Sequence, residues 1–350
     1  MSISSTIAPD LQAICRTALG RDVAASAPIG TGRNSRVFRV ELGDGVRHEP
    51  AQVVVKFYRR DAGDVRDRLG TEFGTLKFLW QNGMRSVPRP IAVAPDRECA
   101  IYEFIAGEPV SPGAATAEDV DASVAFLAAL RQLRGARGSE AVRPASEACF
   151  TLGEIVASVD QRVARLRSAT SAGDDVARRL HDWIDATFAP LRDEIVEWCA
   201  RTAGSCGIGF DDPIDREART LSPSDFGFHN VIRRPDGSLA FVDFEYFGWD
   251  DPAKTIVDYL LHPGMALDDR LKHRFAERAL AAFADVRSLP ARARVVYPLF
   301  GLKWTAILLN DFLPERASQS DGDRRTTQFA NARTFVAGLA GAYADNAFLS

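Results

Sequence analysis

The chain has 350 residues, 46% hydrophobic and 26% charged, with a formal net charge of −4. That balance excludes collagen-like, low-complexity and wholly disordered chains, because enough apolar surface exists to offset chain entropy. It also argues against a nucleic-acid partner, which calls for a concentrated cationic face, and the length predicts two core-bearing parts.

Cys15, Cys99, Cys149, Cys199 and Cys206 are odd in number and lack a CxxC spacing, so neither a disulfide framework nor a structural zinc site is expected. The N-terminal residues have neither a basic start nor an apolar stretch and do not read as a signal peptide. The most apolar late segment, 295–312, contains Pro298, Lys303, Asn310 and Asp311 and is not expected to span a bilayer. A soluble, cytoplasmic protein without a membrane partner is the expectation. Only five of the 43 Lys plus Arg residues are lysines, so each lysine merits inspection where Arg is the usual cation.

Residues 1–20 predict a short amphipathic helix on Ile7, Leu11, Ile14 and Leu19. Short β-branched or alternating runs follow at 27–30, 37–42 and 52–58, separated by Gly-rich turns. A helix over 65–81 carries Leu69, Phe73, Leu76 and Trp80, and two further strands are expected near 91–94 and 99–104. After Gly107-Glu108-Pro109 the pattern turns helical. Thr116 and Asp119 resemble a capping box. Two long amphipathic helices then use Leu152 to Leu166 and Leu180 to Trp198, as expected of a helical hairpin. A loop over 204–220 leads to a β-hairpin, 231–233 and 239–242, turned by Pro235-Asp236-Gly237. The remainder, from about 252, is helical. The expected division is 1–105, a small antiparallel β lobe with one helix, and 106–350, a larger and mainly helical lobe: an α+β architecture.

Asp225 precedes Asn230 by five residues, Asn230 precedes the hairpin's first strand, and Asp243 follows its second. Antiparallel pairing brings Asn230 and Asp243 to one end, roughly 5 Å apart at Cα if they pair directly. A carboxylate and an amide oxygen there suit a hard cation such as Mg²⁺. Single Asp or Asn residues beside turns are commonly caps. All three in order around one hairpin favour a site instead, in the phosphoryl-transfer layout of the eukaryotic-like kinases.

The first part carries complementary features. Gly30, Gly32, Asn34 and Ser35 lie between two predicted strands, where backbone N–H groups can approach phosphates; the third Gly of a GxGxxG pattern is replaced by Ser35. Lys56 interrupts the apolar run 53–58 and needs an anion if buried, with Glu72 the natural carboxylate; an edge strand would instead turn it to water.

In these five short stretches the chain resembles the aminoglycoside phosphotransferase and choline kinase superfamily, small-molecule kinases with the protein-kinase-like two-lobed fold. The resemblance spans about 29–340. It implies that Lys56 contacts the α/β-phosphates and Glu72 positions it, that Gly30, Gly32, Asn34 and Ser35 lie over the phosphates, and that the segment 102–105, with Glu103 and Ile105, is the purine-binding hinge. It further implies that Asp225 is the catalytic base and that Asn230 and Asp243 hold Mg²⁺, with ATP, or alternatively GTP, as donor. Two departures stand out: Pro223-Ser224 replaces a His-Gly pair, and Thr255 stands where an Asp is usual, Asp258 being the nearest substitute.

The implied reaction phosphorylates a small-molecule hydroxyl: a sugar, an amino alcohol or an aminoglycoside-like compound. Candidate acceptor residues are Glu245, Tyr246, Trp249 and Asp250 beyond the metal Asp, and Lys303, Trp304 and Asn310 on a predicted helix over 301–312, where Lys303 and Asn310 share a face. An inactive nucleotide-binding scaffold is the alternative, argued by Pro223-Ser224 and the missing third Gly. A protein kinase is disfavoured by the short interval between Asp243 and Asp251-Pro252, which leaves little room for an activation loop. Composition gives no oligomeric state.

Overall fold

The computed structural model describes residues 4–31, 35–43, 50–59, 66–171, 173–316, 320 and 322–349. In chain order it begins with α1 (Ser4–Leu19), β1 (Val23–Thr31), β2 (Ser35–Leu42), β3 (Gln52–Tyr58) and α2 (Arg68–Gln81). Strands β4 (Pro90–Ala94), β5 (Cys99–Glu103) and β6 (Glu108–Pro109) follow, then α3 (Ala117–Gln132), α4 (Leu152–Thr170), α5 (Asp175–Trp183) and α6 (Ala189–Ser205). The remaining elements are β7 (Thr220–Ser222), β8 (Val231–Arg233), β9 (Leu239–Phe241), β10 (Gly248–Asp250), α7 (Pro252–Leu261), α8 (Asp269–Ala282), α9 (Leu289–Leu308) and α10 (Gly322–Ala342).

The chain forms two compact units. The first comprises Met1–Ala114, Gln132–Ser146 and Pro223–Gly248; the second comprises Ala115–Arg131, Glu147–Ser222 and Trp249–Ser350. The units therefore interleave in sequence, unlike the expected division at 105/106. The physical reason lies in the backbone. β8 pairs with β6 and β9, and the Phe241 N–H donates to the Ser86 carbonyl at 2.8 Å, so the predicted hairpin belongs to the first unit. Gly107 permits this pairing: it adopts φ +147°, and a Cβ there would stand 2.2 Å from the Arg233 carbonyl oxygen.

In the first unit five antiparallel strands run in the order β1-β2-β3-β5-β4. Leu11, Ile14 and Cys15 of α1 form one core with Val40, Leu42, Val53, Val55, Cys99 and Ile101. Full burial of each such aliphatic side chain contributes about 1.5–3 kcal/mol. Strand alternation then places Lys56 and Tyr58 on the opposite face from Val53 and Val55. α2 starts at Asp67, whose carboxylate accepts the Gly70 N–H at 2.8 Å, and buries Leu69, Glu72, Leu76 and Leu79. The expected stripe through Phe73 and Trp80 is thus rotated, and a carboxylate occupies a position on the buried face. β3 lies between β2 and β5, which removes the edge-strand reading of Lys56.

The second unit is built around α9, which packs against α4, α6, α7 and α10. Helices on several sides explain why α9 is apolar all round rather than amphipathic. Gly301 admits α10 closely, since a Cβ there would approach a Leu339 methyl at 2.7 Å. The Thr116–Asp119 capping box forms as predicted, the Thr116 N–H donating to Asp119 at 2.8 Å and the Asp119 N–H to Thr116 at 3.3 Å. The second arm of the predicted helical hairpin is α5 and α6 joined by a π-helical turn, Ile184–Phe188. The helix predicted over 301–312 is the end of α9 followed by a 3₁₀ turn, Leu309–Phe312, so Lys303 and Asn310 do not share one regular helix. All five cysteines are free. Among the described residues, no helix is long and apolar enough to cross a membrane.

Candidate active site

Lys56, its expected partner Glu72 and the hairpin residues all fall in the first unit. Lys56 is 6% exposed, and its Nζ lies 2.6 Å from Glu72 Oε2 and 2.7 Å from Asp243 Oδ1. Glu245 Oε2 stands 3.9 Å away, and its other oxygen is 3.6 Å from Arg68 Nε. Burial opposes the Lys56 charge, but Glu72, Asp243 and Glu245 outweigh it and raise its pKa. Burial pushes the Glu72 carboxyl up, with Lys56 pulling it back down. The oxygens of Glu72, Asp243 and Glu245 converge as a cation site would. The Lys56 ammonium already lies among them, so the arrangement is a lysine cradle.

The hairpin register places Asn230 opposite Val242, whose N–H donates to the Asn230 carbonyl at 3.0 Å. Asp243 therefore does not pair directly with Asn230 as the sequence suggests, but lies one residue beyond the paired position. It adopts φ +68°, a left-handed backbone that Asp tolerates better than most residues and that turns the chain out of the hairpin. Its side chain is 39% exposed, unlike the buried Glu72. The Asn230 amide nitrogen donates to the Asp225 carbonyl at 3.1 Å, so its oxygen is the atom available to a cation. A half-exposed carboxylate and an oriented amide oxygen at one hairpin end fit the chemistry of a Mg²⁺ site, with Asn230 and Asp243 as the residues that would hold it.

Asp225 lies in the loop before the hairpin with its side chain 40% exposed, and His229 Nε2 is 3.0 Å from its Oδ1. Sequence reasoning missed His229; its position four residues after Asp225 is the signal that could have found it. Ser224 adopts φ +67°. The residue at the family's Gly position thus keeps a glycine-like backbone, which holds the turn into Asp225 without the glycine. In the second unit the Thr255 hydroxyl, at the family's usual Asp position, donates to Ser222 Oγ at 3.0 Å.

The other predicted residues are distributed as follows. Gly30 lies in β1 facing Val37, and Ser35 opens β2 with its side chain buried; Gly32 and Asn34 lie outside the described residues. Glu103 ends β5, where its carboxylate accepts the Arg89 N–H at 3.0 Å, and Ile105 is buried. Tyr246 has Arg66 5.6 Å from its ring centre, and burial pushes its hydroxyl up to about 12. In the second unit Trp249 is half-buried, whereas Asp250 is fully buried and bonded to Lys254 at 2.8 Å, which removes it from acceptor contact. Lys303 is paired with Glu147 at 3.1 Å. Trp304 donates its indole N–H to Asp258 at 2.9 Å, and Asn310 lies within the 3₁₀ turn, where its carbonyl accepts the Leu313 N–H at 3.0 Å.

A sequence model of the Phosphotransferase enzyme family matches residues 26–295, well over half of the chain. The chain belongs to this family. Among solved structures it is similar to a choline kinase from Cryptosporidium parvum Iowa II, with a TM-score of 0.62 and 14% identity over 97% of this chain and 99% of that one. A spectinomycin phosphotransferase bound to ADP and spectinomycin gives a TM-score of 0.64 and 11% identity over 96% and 98%. The choline kinase of Streptococcus pneumoniae gives 0.60 and 14% over 96% and 100%. At these identities the likenesses show the fold: the small antiparallel sheet and mainly helical remainder expected from the sequence. A comparison with curated protein sequences finds no match.

Proposed function

We propose that the protein transfers the terminal phosphoryl group of ATP, or alternatively GTP, to a hydroxyl of a small molecule. The observation that carries this reading is Lys56 bonded at once to Glu72 and Asp243, two residues that sequence reasoning assigned to one phosphate- and metal-handling centre. Membership of the phosphotransferase family supports it.

In this reading Lys56 orients the donor's phosphates, Glu72 holds Lys56, and the backbone of 103–105 receives the purine. Gly30 and Ser35 flank the phosphates. Asn230 and Asp243 hold Mg²⁺, which when bound neutralises phosphate charge. Asp225 orients the acceptor hydroxyl and takes its proton as the new oxygen–phosphorus bond forms; the bond to the bridging oxygen breaks and its electron pair leaves with the nucleoside diphosphate. His229 fixes one oxygen of Asp225, leaving the other for the acceptor. Positioning and charge stabilisation carry most of the catalysis.

The acceptor class is a sugar, an amino alcohol or an aminoglycoside-like compound, classes that include the compounds named for the structural neighbours. Tyr246, Trp249 and Trp304 are the candidate contacts that retain aromatic surface, whereas Glu245, Asp250 and Lys303 are already engaged by opposite charges. Against the inactive-scaffold alternative, Ser224 adopts the backbone a glycine would adopt, so the loss of that glycine does not alter the turn into Asp225.

The test is thermal unfolding with ATP or GTP, with and without Mg²⁺. A ligand at a hundred times its dissociation constant stabilises by about 2.7 kcal/mol, a readily visible shift. A Mg²⁺-dependent rise that Asp243→Ala abolishes is expected. No shift with either nucleotide overturns the reading.

A further inference from the structure

Tyr58 follows Lys56 by two residues on β3, so both side chains leave the same face of the sheet. The Tyr58 hydroxyl lies 2.7 Å from Glu72 Oε2 and 2.7 Å from the Tyr102 hydroxyl, and all three side chains are buried. Proton counting fixes the direction of this chain. A Glu72 carboxylate paired with Lys56 only accepts, so Tyr58 donates to it; the single Tyr58 proton is then committed, and Tyr102 donates to the Tyr58 oxygen. The chain ends on the Glu72 oxygen that takes the Lys56 ammonium at 2.6 Å.

We propose that Tyr58 is a positioning residue for the Lys56 ammonium, acting through Glu72, with Tyr102 holding the Tyr58 hydroxyl in its donating orientation. The inference rests on the kinase reading above and goes beyond it by adding a tyrosine pair to the Lys–Glu–Asp centre. The physical need is evident from the charges around Lys56. Asp243 at 2.7 Å and Glu245 at 3.9 Å both draw the ammonium away from Glu72. A carboxylate held by a second donor resists that pull, because a hydrogen bond to an ionised acceptor is about twice as strong as a neutral one. Donation from Tyr102 polarises the Tyr58 hydroxyl and strengthens it further. Tyr102 also immediately precedes Glu103, so the chain ties the strand end proposed for the purine to the lysine proposed for the phosphates.

The test is a double-mutant cycle read by calorimetric titration of Mg·ADP and Mg·ATP. Tyr58→Phe, which keeps the ring, is expected to weaken binding by about tenfold. In a Glu72→Gln background the same change is expected to add less than about twofold, because its route to Lys56 is already altered. Tyr102→Phe is expected to weaken binding by about threefold. Equal losses from Tyr58→Phe in both backgrounds would mean a merely structural tyrosine and would overturn the inference, as would unchanged affinity in Tyr58→Phe. Should Tyr58→Phe fail to fold, unchanged affinity in Tyr102→Phe overturns it. Absence of Mg·ADP and Mg·ATP binding by the unaltered protein overturns the kinase reading and this inference with it, which separates the two failures.

Discussion

Asp243 stands 187 residues after Lys56 in the chain, and its Oδ1 lies 2.7 Å from the Lys56 ammonium. The ammonium also contacts Glu72 at 2.6 Å, so one buried cation ties β3, α2 and the turn after β9 together. Breaking a buried charge set by removing one partner costs more than an exposed pair is worth, since the survivors stay desolvated.

Asp225 is the proposed base, and its amide variant tests that role without altering size. Asp225→Asn is expected to retain Mg²⁺-dependent ATP binding in calorimetry while turnover falls by about 10²–10⁴-fold. Turnover equal to that of the unaltered protein would remove Asp225 from the reaction.

Ser224 holds φ +67°, where an L-residue is disfavoured by about 1–2 kcal/mol. Ser224→Gly is expected to raise stability in urea unfolding by about 0.5–1 kcal/mol, part of the relief being offset by the freer unfolded chain. A drop in stability would show that the Ser224 side-chain contacts outweigh the backbone strain.

Asp251 has no exposure. Its carboxylate accepts the Ala253 N–H at 2.8 Å, capping α7, and Arg292 Nε at 2.6 Å. Asp251→Ala leaves Arg292 buried with an unmatched charge and is expected to cost about 3–5 kcal/mol in equilibrium unfolding. The paired change Asp251→Leu with Arg292→Met is expected to cost less than Asp251→Ala alone. The opposite order would locate the stability in the ion pair itself.

Burial alone would raise the Glu147 carboxyl, but Lys303 and Arg162 outweigh it and hold it at about 2 against an ordinary 4.5. A folded-state pKa below the unfolded value binds fewer protons in the native state. Its stabilisation is therefore complete above about pH 4.5 and is lost as pH falls towards about pH 2. Glu147→Gln is expected to be less stable near neutrality and to show a shallower loss across that window in thermal unfolding followed against pH. An unchanged acid slope would assign the acid sensitivity to other carboxylates.

Local chemistry made much of this protein legible from its sequence. Alternation marked β3, a 3.6-residue period marked α2, and Pro235-Asp236-Gly237 marked the β8–β9 hairpin, which brackets Asn230 and Asp243. A lysine in an apolar run demanded an anion, and Glu72 answers it. Less legible were features that depend on several elements meeting. By sequence the α2 stripe runs through Phe73 and Trp80 because both are large and apolar, whereas packing turns Glu72 inward. His229 stands four residues after Asp225, but no helix is predicted there, and its place beside Asp225 depends on the backbone of a loop.

The sequence by itself determined the α+β class, the strand and helix order of the first hundred residues, and the need of Lys56 for a carboxylate partner, which Glu72 supplies. These follow from period, turn chemistry and the cost of an unpaired buried charge, all local in the chain. Only the tertiary structure decided that residues 223–248 belong with the first unit, that Asp250 and Lys303 are bound by Lys254 and Glu147, and that Tyr58 and Tyr102 meet at Glu72. Each of those outcomes depends on which distant surfaces are buried against one another, and pairing across long loops leaves no periodic trace in the residues that take part.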